Sequence, residues 1–125
     1  MKLKISINLL LFTSAIAHAS PIIINSINLK VGETQRIELR SNPTTGYSWY
    51  PTKKIEKNPI ITLVKSGYEA DNTGLVGSGG IQFWEIRGKK AGSYTLTLQY
   101  KRPWEKKVKP VEVKKFVIEV QQKTT

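Results

Sequence analysis

The chain has 125 residues, 39% of them hydrophobic, with no cysteine, one histidine and 20 Lys+Arg against 9 Asp+Glu, a formal net charge of +11. Without cysteine there is no disulfide, so packing alone must hold the fold. The only histidine is His18 and the only aspartate is Asp71, which removes most routes to nucleophilic catalysis and the usual zinc ligands.

Lys2 and Lys4 precede a mostly apolar run from Ile5 to Ala17, and Ala17-His18-Ala19 has the A-x-A form of a leader cleavage site. A membrane-spanning helix needs roughly 20 predominantly apolar residues. This run is shorter and is interrupted by Ser6, Asn8, Thr13 and Ser14. Residues 1–19 therefore read as a secretory signal peptide cut after Ala19, which predicts an exported protein, periplasmic or secreted, with no membrane anchor. His18 leaves with the leader. Residues 20–125 suit one domain, and a chain of that length can bury roughly 60–70% of its unfolded surface.

From Ile22 onward, runs rich in Val, Ile, Thr and aromatic residues alternate with turn residues, and no helical period is sustained. Seven strands are predicted. They cover about Ile22 to Leu29, Thr34 to Arg40, Tyr47 to Tyr50, Ile60 to Tyr68, Ile81 to Arg87, Ser93 to Tyr100 and Val111 to Val120. In the sixth, Tyr94, Leu96, Leu98 and Tyr100 share one face; in the second, Ile37 and Leu39 point inward. The seventh changes phase between Val113 and Phe116, which predicts a β-bulge near Lys114-Lys115. Trp49 and Trp84 sit inside strands and are expected in the core. Seven short antiparallel strands with frequent turns predict an all-β, immunoglobulin-like sandwich.

If the strands alternate in direction, every second connection emerges at the same end. Residues 41–46, 69–80 and 101–110 would then form one contiguous edge. The first holds Asn42-Pro43-Thr44-Thr45-Gly46, continued by Tyr47. Pro43 fixes its own φ and biases Asn42 away from the helical region. Gly46 permits a positive φ for the reversal into the next strand. Thr44 and Thr45, stiff at χ1, would present two hydroxyl-bearing side chains at a short, rigid tip. Turn chemistry alone favours an ordinary β-turn in which Asn42 caps the backbone.

The second segment ends in Gly77-Ser78-Gly79-Gly80. It lacks the Gly-Lys-Ser/Thr ending of a phosphate loop and leads into a strand. It reads as a hairpin loop whose bare backbone could approach a partner's main chain. The third, Arg102-Pro103-Trp104, carries residue types enriched at interface hot spots. The neighbours Glu105, Lys106 and Lys107 place Trp104 outside the core.

In this order the three motifs resemble those of the chagasin family, proteinaceous inhibitors of papain-like cysteine peptidases. The resemblance spans the chain after the leader. It implies a non-enzymatic, cofactor-free, monomeric inhibitor whose partner is a papain-like cysteine peptidase. Thr44 and Thr45 would lie near the catalytic Cys–His pair, Gly77 to Gly80 toward the non-primed subsites and Trp104 toward the primed side. No small-molecule substrate and no specific nucleic acid are expected. The lysines of the last third, Lys101, Lys106, Lys107, Lys109, Lys114 and Lys115, read most simply as solvated surface. Two other classes stay open on the residues alone. One is a basic binding module for glycan or nucleic acid using these lysines and Trp104. The other is an enzyme built on a glutamate pair.

Overall fold

Alternating apolar side chains give each strand one face to bury, and a computed structural model of the protein, which describes residues 24–124, contains seven such strands. They are β1 (Ile24–Lys30), β2 (Thr34–Ser41), β3 (Ser48–Pro51), β4 (Ile61–Ala70), β5 (Gly80–Gly88), β6 (Gly92–Lys101) and β7 (Glu112–Gln121). Their bounds fall within two residues of the expected ones. The leader and the expected start of the first strand lie outside the described residues.

The strands form two sheets, ordered β1-β7-β6-β3 and β2-β5-β4. Every pair is antiparallel except β1 with β7, which run parallel. That exception follows from strict alternation, since two odd-numbered strands that become neighbours must point the same way. The pairing therefore places the β2–β3, β4–β5 and β6–β7 connections together at one end.

Between the sheets lie Trp49, Trp84, Ile86, Leu96, Leu98 and Ile118, among other apolar side chains. Trp49 and Trp84 are 3% and 4% exposed, as expected of core residues. Phe83 faces the other side of β5 yet is also buried. It is covered by the Arg36 guanidinium, 3.9 Å from the ring centroid, and it lies opposite Gly67, whose missing side chain leaves room for the ring.

The expected bulge in the seventh strand is absent. The β6–β7 register runs unbroken from Gly92↔Val120 to Tyr100↔Glu112. Lys114 keeps the parity of Phe116 and Ile118 and takes an inward position near the loop end. A lysine fits there because its stem can lie along apolar surface while its charge finds polar company. Its Nζ is 5.8 Å from the Trp49 ring centroid and 3.7 Å from Glu112 Oε2. Val113, read as an inward residue, pairs with Gln99 on the opposite parity. The register shift falls in β4 instead, between Leu63 and Lys65, where Val64 is left 42% exposed.

β3 is short and lies at a sheet edge, which would strand its outward backbone groups. Gln82 of β5 supplies the missing strand. Its Oε1 accepts from Trp49 N at 2.9 Å and its Nε2 donates to Trp49 O at 2.9 Å. This amide ties the two sheets together directly below the β2–β3 loop. Gln82→Ala leaves both Trp49 groups without a protein partner and is expected to lower the unfolding free energy by about 2 kcal/mol. Urea denaturation checks this, and an unchanged midpoint would show that water replaces the amide at no cost.

Candidate loop interface

The β2–β3 loop begins where β2 leaves its sheet at the buried Ser41. Pro43–Thr45 form a single 3-10 turn with proline at its start, a position that suits the fixed φ and the missing N–H. Asn42, at φ −134° and ψ 83°, is extended rather than helical, and Gly46 closes the turn at φ 90° with its N–H donating to Pro43 O at 2.9 Å. Both backbone expectations hold.

Both threonine side chains are exposed at the tip, but their hydroxyls are turned back onto the loop. Thr44 Oγ1 donates to Asn42 Oδ1, and Thr45 Oγ1 donates to Asn42 O at 2.6 Å. A neighbouring carbonyl and a side-chain amide offer these hydroxyls partners already fixed in place, so local bonds win over solvent. The tip therefore presents the exposed surfaces of Pro43, Thr44 and Thr45 with their hydroxyl protons already committed.

Asn42 also joins the loops to one another. Its Nδ2 donates to Gly77 O at 2.8 Å, and its N–H donates to Tyr100 Oη at 3.0 Å. From the third loop, Arg102 Nε donates to Thr45 O at 3.1 Å. The Arg102 guanidinium lies 4.4 Å above the Tyr47 ring, Tyr47 stacks on Tyr100 at 5.5 Å, and Tyr100 leans on the buried Trp49 at 4.9 Å. A ladder of flat groups thus runs from the loop surface into the core.

In the β4–β5 loop the glycines divide by role. Gly77 is exposed and offers its carbonyl to Asn42. Ser78 is half-buried, and its hydroxyl accepts from Thr73 Oγ1 at 3.1 Å. Gly79 and Gly80, expected to bare their backbone to a partner, are buried. A Cβ on Gly79 would come within 3.0 Å of Ser41 O, and one on Gly80 within 2.1 Å of Glu69 O. Gly79 lets the hairpin close against the end of β2, and Gly80 lets β5 close against β4. Arg40 reinforces this closure, its Nη1 and Nη2 donating to Asp71 Oδ1 and Oδ2 at 2.9 and 2.6 Å. These bonds hold the Asp71 carboxyl below its ordinary 3.8, and the Arg40 guanidinium is shifted upward in turn.

In the β6–β7 loop, Pro103 and Trp104 occupy the centre of a turn closed by Glu105 N on Arg102 O at 3.1 Å. Trp104 is 61% exposed, as expected. Its Cη2 edge lies over Gly46, where an added Cβ would stand 2.5 Å away. Gly46 therefore meets two demands, a positive φ and a close approach by Trp104.

The structure adds residues that the sequence reading missed. Leu75 and Val76 at the tip of the β4–β5 loop are 72% and 103% exposed, and Val108 and Val111 of the β6–β7 loop are 59% and 66% exposed. Apolar side chains inside a segment read as a loop were the available signal. The combined surface has an uncharged centre at Pro43–Thr45, apolar groups on either side, and Lys106, Lys107 and Lys109 exposed on the third loop. Among the described residues no group of three or more His, Cys, Asp or Glu is placed to hold a metal. The surface is built for contact.

The family description "Chagasin family peptidase inhibitor I42" matches residues 28–120, from the second half of β1 to the penultimate residue of β7. The chain belongs to the chagasin family. Chagasin of Trypanosoma cruzi is 37% identical over 82 residues, 63% of this chain and 74% of that protein. Among solved structures, the cysteine protease inhibitor EhICP2 from Entamoeba histolytica superposes with a TM-score of 0.67 at 26% identity, covering 80% of this chain and 96% of that one. Leishmania mexicana ICP gives a TM-score of 0.57 at 32% identity, covering 83% and 96%. Members of this family are peptidase inhibitors rather than enzymes, so the glutamate-pair reading falls away.

Two outcomes follow for this chagasin-family protein. Gly46→Ala forces a residue with a Cβ into the left-handed region, at a cost of about 1–2 kcal/mol, and pushes Trp104 aside. The fold is expected to persist while tryptophan emission shifts, and the shift should vanish in a Trp104→Phe background. An equal shift in that background would mean that the core tryptophans had moved instead. For the Arg40–Asp71 pair, a depressed carboxyl pKa contributes stability at pH values above the unfolded value. That contribution is lost as pH falls through the folded value. The midpoint difference between the wild type and Asp71→Asn should thus be present near neutral pH and shrink as pH drops below 3.8. A difference independent of pH would remove the ion pair from the account.

Proposed function

We propose that this protein is a reversible, tight-binding inhibitor of papain-like cysteine peptidases that fills the substrate cleft with its three loops. The observation that carries this reading is the hydrogen bonding between loops far apart in sequence, Asn42 to Gly77 and Arg102 to Thr45. A surface assembled before binding loses little entropy on docking. The uncharged β2–β3 tip enters the cleft toward the catalytic Cys–His pair, and the β4–β5 loop lies along the non-primed side with Gly77, Leu75 and Val76 outward. Trp104 seats on the primed side. The inhibitor holds no peptide bond in line for attack by the catalytic cysteine and forms no covalent bond with the peptidase; it blocks access. Residues 1–19 act as a leader that exports the protein to the periplasm or the medium.

Titration of the chain from Ser20 onward against papain and a cathepsin L-type enzyme tests this, with trypsin as control. Cysteine-peptidase activity is expected to fall reversibly while trypsin is untouched. Trp104→Ala should weaken inhibition about 30-fold, the scale of an interface hot spot, with an unchanged circular dichroism spectrum. Folded protein that leaves both cysteine peptidases active at micromolar concentration would contradict the reading.

A further inference from the structure

The end of the sandwich opposite the three loops carries exposed lysines on connections from both sheets. Strand alternation brings together there the β1–β2 turn, the β3–β4 connection and the β5–β6 turn. Lys30, Lys53, Lys54, Lys57, Lys89 and Lys90 are exposed on or beside them. Among the described residues none of these six has a carboxylate within salt-bridge distance. Arg87 adds a further cation at the edge, with Nε on Thr34 Oγ1 at 3.3 Å. The acids at this end are Glu33, Glu56 and Glu119. Glu33 accepts from Lys30 N at 2.7 Å, and Glu119 accepts from Ser93 Oγ at 2.9 Å.

The lysines stand on a fixed base. Ile55 is 1% exposed and pins the β3–β4 connection into the core. Asn58 N donates to Ile55 O at 3.0 Å, and Asn58 Oδ1 accepts from Ile60 N and Ile61 N at 2.8 and 3.1 Å. The two lysine-bearing segments are joined through Ile60 O, which accepts from Lys89 N at 2.8 Å and Lys90 N at 3.2 Å. Charge is thus held at one end of the molecule by backbone bonds.

We propose that this end is a docking surface for an anionic phospholipid bilayer. The cations come from edge and central strands of both sheets and so form a cap. A cap matches a two-dimensional array of headgroups better than it matches a linear polyanion. The three connections contain no aromatic residue to stack on a base and no exposed large apolar side chain to insert among acyl chains. Attachment is therefore electrostatic, superficial and weakened by salt. It leaves the three-loop surface pointing away from the membrane.

Co-sedimentation with vesicles tests this, using the chain from Ser20 onward, which contains every element of the fold. Vesicles of phosphatidylcholine alone are compared with equal parts phosphatidylcholine and phosphatidylglycerol, at about 0.1 M and about 1 M salt, where screening lengths are about 10 and 3 Å. Binding is expected only to the anionic vesicles and only at the lower salt. The quintuple variant K53Q/K54Q/K57Q/K89Q/K90Q should lower partitioning about a hundredfold or more, since each lysine near such a surface is worth several-fold. A charge-matched variant, K101Q/K106Q/K107Q/K109Q/K115Q, should lower it at least tenfold less. Absence of binding to the anionic vesicles, equal loss in the two variants, or capture by heparin or a DNA duplex without capture by vesicles would each overturn the proposal.

Discussion

Asn42 is the residue through which the loop end holds together. It makes bonds in four directions: its carbonyl closes the 3-10 turn, its side-chain oxygen takes the Thr44 hydroxyl, its side-chain nitrogen reaches Gly77, and its N–H reaches Tyr100. An aspartate lacks the donor for Gly77, and a glutamine, longer by one carbon, carries its amide to a different place. The second tie, Arg102 on Thr45 O, arrives from the opposite flank. Between them a short turn without charge is held from both sides, and the stacked Tyr47, Tyr100 and Trp49 carry that order into the core.

The fold was legible because most strands show period-two alternation and all but the last stop at or within two residues of Gly, Pro or Asn. Strand parity then fixed which connections share an end, and the parallel pairing of β1 with β7 obeys the same rule. Phase was harder to read than position. Val111 and Val113 looked like inward residues because they are apolar, and Lys114 looked outward because it is charged. Near an open mouth of the sandwich that inference fails. A lysine stem can run inward toward Glu112 and Trp49, while a valine can pair with Gln99 on the solvent side. The register shift in β4 left no clear sequence trace, since Val64 simply follows the apolar Leu63 and neither is a residue type that marks a bulge.

Within the loops, backbone requirements were readable and side-chain directions were not. The positive φ of Gly46 and the exposure of Trp104 follow from residue type and neighbours. That the two meet, ring edge over glycine, needs the packing of loops nearly sixty residues apart. Gly79 and Gly80 have the composition of a mobile loop, yet they are buried where three backbones converge, a steric role that composition cannot distinguish from freedom. The threonine hydroxyls turn inward because Asn42 offers partners two and three residues back along the chain.

The two ends of the molecule thus differ in chemistry, one neutral and apolar at its centre, the other cationic and tied down by Ile55, Asn58 and Ile60. The central claim is that the three loops act as one peptidase-facing surface. Amide hydrogen exchange, compared between the free protein and its complex with a catalytically inactivated papain-like peptidase, tests it most directly. The account predicts new protection in 42–47, 71–79 and 102–111 together, with none in 52–60 or 89–91. Protection confined to one loop, or appearing at the lysine-bearing end, would contradict it.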